Sequence, residues 1–204
     1  MIAFLSLVLL TFPAIADTIP DGPFSYPGLY SREVIVVDPE NSPLLENAYL
    51  DLKSQLHETF TEKDILQTTL LYVRENLFDL ELCTDQNVIR FLLQFMDKGP
   101  EIPLETFLEK KIGVCRHLAL TTTYLLERLT KDRLLDGKAY LIREQIPSGR
   151  HGWTLFLSQS GAWHLDSYWE ILENGKTDAG FFHLCQKYGK RTMERQQLRW
   201  QNVN

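Results

Sequence analysis

The feature that most constrains this chain is a change of hydrophobic period near residue 137. Before it, apolar residues recur at the helical spacing; after it, short aromatic and β-branched runs alternate with turn signals. In "PLLENAYLDLKSQLHETF" the apolar positions are Leu45, Tyr49, Leu52 and Leu56. Thr61 and Asp64 form a capping pattern that opens "DILQTTLLYVRENLF". "TDQNVIRFLLQFMDKG" (84–99) predicts a third helix, "PLETFLEKK" (103–111) a short one, and "VCRHLALTTTYLLERLT" a long one opening near Cys115. The runs "KAYLIRE", "GWTLFLS" and "AWHLDSYW" then read as an antiparallel meander. Helices followed by strands predict an α+β fold, with N-terminal helices packed on a C-terminal antiparallel sheet. The basic tail "FFHLCQKYGKRTMERQQLRW" reads as a helix plus a solvated end.

The flanks have a different character. "MIAFLSLVLLTFPAIADT" is apolar from Ile2 to Leu10 and carries Ala14 and Ala16 before Asp17. This predicts a cleaved signal peptide over 1–16 and export to the periplasm or beyond the cell; an uncleaved anchor or a buried strand is the alternative. Residues 17–43, rich in Pro, Gly, Asp and Ser, read as an irregular N-terminal arm with one strand candidate, "EVIVV". The main domain is then 44–204. With 44% hydrophobic residues over 204 positions, there is enough apolar material for one core. A net charge of −6 argues against nucleic acid as a partner and gives no basic segment for an anionic membrane.

The chemistry centres on "IGVCRH". A thiol placed where a helix starts meets unpaired N–H groups and the positive end of the helix dipole, which favour a thiolate. His151 opens one strand candidate and Asp166 lies in the next, which places Asp166 opposite Trp153 or Thr154 and within reach of His151. An imidazolium beside the sulfur supports the thiolate and later protonates a leaving amine; a carboxylate behind it fixes the tautomer. The Cys115 N–H is a candidate oxyanion donor. Gly113 would let a substrate approach the backbone, and Gln86 or Asn87 is a guess at a second donor.

The run from "PLETFLEKKIGVCRH" to "GRHGWTLFLSQSGAWHLDSYW" resembles the transglutaminase-like, papain-related superfamily over residues 62–170. Its pattern is Gly-x-Cys at a helix start, His-x-Trp opening a strand, and Asp one strand later. Gly113, Cys115, His151, Trp153, Trp163 and Asp166 occupy those places, with Cys, His and Asp spaced by 36 and 15 residues. The resemblance implies a Cys115–His151–Asp166 triad that attacks a carboxamide or peptide carbonyl of a protein or peptide substrate through a thioester. It implies no metal and no organic cofactor. Gly113, Trp153 and Trp163 would line the site. His117 replaces a residue that is often acidic in that family.

Competing readings are a buried structural Cys115, His164 in place of His151, and a zinc site drawn from Cys115, His117, His151, His164 and Asp166. A binding module that keeps the fold without turnover is another. His117 is expected at the surface or behind the site, and Trp153 and Trp163 in the core or the site wall. Of the three cysteines, a Cys83–Cys185 disulfide leaving Cys115 free fits an exported enzyme, as do three reduced thiols. The oligomeric state is open.

Overall fold

The computed structural model describes residues 24–27, 34–95 and 101–201. The expected leader over 1–16 lies outside these residues. The fold is α+β with two sheets. Strands β1 (Phe24–Pro27) and β2 (Val34–Val37) pair antiparallel, and β3 (Glu101–Pro103) runs parallel to β2, in the order β1-β2-β3. β2 falls on the strand candidate "EVIVV", and β1 adds a second strand to the segment read as an irregular arm. β3 has three residues, too few to show an alternating pattern.

Five helices follow the predicted periodicity: α1 (Pro43–Ser54), α2 (Glu62–Tyr72), α3 (Asp85–Leu92), α4 (Leu104–Glu109) and α5 (Cys115–Lys131). The capping box of α2 forms: the Thr61 N–H donates to Asp64 Oδ2 at 2.9 Å, and the Asp64 N–H donates to Thr61 Oγ1 at 3.3 Å. α2 runs on into a π-helical turn, Val73–Leu77, which the simple period conceals. The third helix is shorter than 84–99: it stops at Leu92 and tightens into a 3₁₀ turn, Leu93–Phe95.

The second sheet is an antiparallel meander in the order β4-β5-β6-β7, with β4 at Lys138–Ile146, β5 at Gly149–Leu157, β6 at Ala162–Asp166 and β7 at Ile171–Asn174. β7 was not expected. The pleat divides the residues of these strands between two cores. Ala139, Leu141, Phe156 and Leu165 join the core built by α1–α5. Tyr140, Ile142, Trp153, Leu155 and Ala162 join a second core with Leu184, Tyr188, Met193 and Trp200.

The second core corrects the tail. Residues 178–201 form two helices, α6 (Asp178–Tyr188) and α7 (Lys190–Gln201), that cover the sheet face opposite α5. Between them Gly189 takes φ +86°, a left-handed value that suits glycine. In α7 the buried residues are Thr192, Met193, Gln196 and Trp200, a helical stripe inside a strongly polar sequence. The sheet thus has helices on both faces, not on one.

α5 is the central element. Its residues 115–126 are all buried. Thr121, Thr122 and Thr123 each donate to the carbonyl four residues back, which satisfies hydroxyls that have no water. Thr123 also meets Thr154 Oγ1 of β5 at 2.9 Å, and Thr122 meets Ser167 Oγ at 2.8 Å. These contacts fix the helix on the sheet in rotation and translation.

Trp200 tests whether α7 is a layer or a loose end. Its indole packs where a Cβ on Gly175 would sit 2.4 Å from Cη2. Trp200→Ala should cost about 3 kcal/mol or more and lower the midpoint of thermal unfolding. An unchanged melt would mean that the tail is a solvated end.

Candidate active site

Cys115 is the first residue of α5, with Val114 as N-cap. The turn before it is held from inside: the Val114 N–H donates to His117 Nδ1 at 3.1 Å. His117 is fully buried with its ring 4.2 Å from that of Phe107, so it is a capping residue and not a surface one. Burial first, and then the positive charge of Arg116, push it well below the usual histidine range, which keeps Nδ1 an acceptor. Gly113 also differs from expectation. A Cβ there would lie 2.7 Å from Phe78 Cε1 and 2.9 Å from His117 Cβ, so packing fills the space that a substrate was expected to use.

His151 lies near the start of β5 and shares a face with Trp153. Its Nε2 donates to Asp166 Oδ2 at 2.6 Å. Its ring also interacts with the Cys115 side chain. With Nε2 engaged, Nδ1 is the nitrogen left for the sulfur. The contact reaches past the sheet because residue 152 is glycine: a Cβ there would be 3.4 Å from Arg116 Cα, so strand and helix start already touch. Burial disfavours the imidazolium, but hydrogen bonds to Asp166 and Cys115 and their charges outweigh it, and His151 is raised to about 9. Cys115 is 8% exposed and His151 6%.

Asp166 is buried and its carboxylate is saturated. Oδ2 accepts from His151 and from the Tyr188 hydroxyl at 2.9 Å. Oδ1 accepts from the N–H groups of Tyr168 and Trp169, both at 3.0 Å. The turn that supplies these donors closes at Glu170, whose φ is +56°. Arg74, from the π-helical turn, braces it: Nη1 donates to the carbonyls of Ser167 at 3.1 Å and Tyr168 at 2.9 Å, and Nε pairs with Glu170 at 3.2 Å. Trp169 stacks on the His151 ring at 3.8 Å and 12°. It therefore shields the His151–Asp166 bond from water, which strengthens that bond.

Cys115, His151 and Asp166 thus come together, while the expected wall residues do not line them as expected. Trp153 is fully buried in the second core beside Tyr188. Trp163 packs on the opposite face, its Nε1 donating to Glu62 Oε1 at 2.6 Å. The wall is Trp169, with Tyr168 beside it. Sequence reasoning missed Trp169, Tyr188 and Arg74. "DSYW" did carry a signal for the first, since Asp side chains bond the backbone two residues on. Asn87 is occupied, its side chain donating to the Leu82 carbonyl at 3.1 Å, and Gln86 is exposed.

His164 is fully buried on the second core, next to Trp200, and neither ring nitrogen has a hydrogen-bond partner. Burial pushes it down to about 3. It is a neutral core residue and does not replace His151. The set considered for zinc is not assembled: among the described residues no group of three or more His, Cys, Asp or Glu is placed to hold a metal. All three cysteines are free thiols. Cys83 belongs to the core of α1–α5 and Cys185 borders the second core, so the sheet separates the expected disulfide partners.

Comparison with protein-family models, with curated proteins and with solved structures finds no match to this chain. Among the described residues no helix is long and apolar enough to cross a membrane.

Two predictions follow from this geometry. Gly113→Ala should destabilise by about 1–3 kcal/mol, read in denaturant unfolding, because Phe78 and His117 must shift. The two histidines act on stability in opposite pH windows. His151, raised, adds stability that is full below its ordinary value near 6.5 and is lost as pH rises toward 9. His164, lowered, costs nothing above that value and removes stability as pH falls toward 3. Thermal midpoints across pH should therefore peak near neutrality, and His164→Phe should flatten the acid limb. An acid limb as steep in the variant as in wild type would refute the assignment.

Proposed function

We propose that this chain is an exported thiol enzyme of transglutaminase-like fold that acts on carboxamide or peptide bonds. The single observation that carries the proposal is the His151 ring, which bridges Asp166 at 2.6 Å and the Cys115 side chain inside a water-shielded site. Cys115 is the nucleophile, His151 the general base and acid, and Asp166 the orienting carboxylate.

In the first half-reaction His151 takes the thiol proton, the sulfur forms a bond to the carbonyl carbon, and the π electrons move to oxygen. The Cys115 N–H, at the first helical position, is not used within the helix and serves as the donor to that oxyanion. Collapse of the intermediate breaks the C–N bond, and the amine or ammonia leaves with the proton from His151, giving a thioester. Water then attacks the thioester carbon and gives a proton to His151; the C–S bond breaks, the acid departs, and His151 returns the proton to sulfur, which restores the thiol. A substrate amine in place of water would turn the same sequence into transamidation. Hydrolysis, as peptidase or glutamine deamidase, is favoured because water is always at hand and no lysine-binding feature stands out. The substrate is a protein or peptide, and no cofactor enters the steps.

The test is alkylation of Cys115 by iodoacetamide, mapped by mass spectrometry from about pH 4.5 to about 9, in wild type and His151→Ala. Wild type should react about tenfold or more faster than the variant below pH 7. Equal rates, or reaction only after unfolding, would leave a binding module that keeps this arrangement without turnover.

A further inference from the structure

α6 ends on Tyr188, and Gly189 turns the chain away where a Cβ would be 3.0 Å from Pro147. The Tyr188 side chain is thereby sent inward and is fully buried. Its ring stacks on Trp153 at 4.7 Å and lies 6.0 Å from His151, nearly parallel to both. Its hydroxyl donates to Asp166 Oδ2, the same oxygen that holds His151 Nε2. The other carboxylate oxygen is taken by two backbone donors.

Two donors on one oxygen compete for its charge. Without the phenol, all of the Oδ2 charge would bear on the imidazole. We propose that Tyr188 is a fourth member of the Cys115–His151–Asp166 unit, a positioning residue that fixes the plane of the carboxylate and moderates its hold on His151. Burial keeps the phenol protonated, and hence a donor, far beyond neutral pH. An aromatic ring alone would serve the packing against Trp153; the hydroxyl is placed where only Asp166 can use it. The inference rests on reading the three residues as a reacting unit, but its test reads His151 directly.

The groups that bear on His151 come from each neighbouring element. Cys115 comes from α5 and Asp166 from β6, and Tyr168 from the turn after β6. Tyr188 comes from α6, where Lys187 lies 5.4 Å from the centre of the Trp169 ring. Glu144 of β4 is opposite His151 in the ladder, and Arg195 and Arg199 of α7 already neutralise it. Of these, only Tyr188 changes the charge on Oδ2 without itself carrying charge.

The experiment is an NMR titration of the His151 imidazole in a Cys115→Ser background, where the sulfur does not titrate with it. Tyr188→Phe keeps the ring and removes the donor, and the midpoint should rise by about half a pH unit. Replacing Tyr188 by 3-fluorotyrosine, a stronger donor of nearly the same shape, should lower it; this variant also serves if Tyr188→Phe does not fold. A midpoint that does not move, or that moves in the opposite direction in the variant that folds, overturns the proposal. Equal alkylation of wild type and His151→Ala would remove the catalytic reading and leave this result standing.

Discussion

The rest of the structure is arranged around one buried carboxylate. Asp166 is 1% exposed, and a carboxylate out of water is tolerated only when its oxygens are fully bonded. Its four donors come from three places: the strand beside it, the turn after it and the helix α6. Each has its own support. His151 is held in β5 with Trp169 stacked on it, the turn is braced by Arg74, and Tyr188 is wedged against Trp153. Removing any one support leaves a charged oxygen short of a partner, which costs more than an ordinary hydrogen bond contributes. This is why a single side chain can fix the relation of sheet, turn and C-terminal helices at once.

The local part of this was legible in the sequence. Helical period, the Thr61–Asp64 cap, and the alternation of the strand runs follow from short-range sterics and solvent exposure, and the elements appear where those forces place them. The parity of β5 even puts His151 and Trp153 on one face. What the parity could not say is that this face is itself covered, because α7 is so polar that its buried stripe, Met193, Gln196 and Trp200, is easy to overlook. Trp153 therefore belongs to a core and not to a wall. Gly113 was misread for a related reason. A glycine before a nucleophile leaves room, and only the tertiary contacts show that Phe78 takes that room.

The remaining gaps concern contacts between residues distant in the chain. Arg74 lies 93 residues before Ser167, and Tyr188 lies 22 after Asp166. No propensity or spacing rule links such pairs. The π-helical turn at Val73–Leu77, which carries Arg74, is a further case, since a period of 3.6 does not mark it.

The two cores treat their buried polar groups differently. On the α1–α5 side Thr121, Thr122 and Thr123 are satisfied through the threonine ladder of α5, whereas Thr130 Oγ1 has no hydrogen-bond partner. The α6–α7 side leaves His164, Trp153 Nε1, Trp200 Nε1 and Gln196 Oε1 without a hydrogen-bond partner. Buried polar groups in that condition lower the free energy needed to open the layer that holds them. That layer delivers Tyr188 to Asp166. A disturbance of the C-terminal helices would reach His151 through Tyr188 and Asp166.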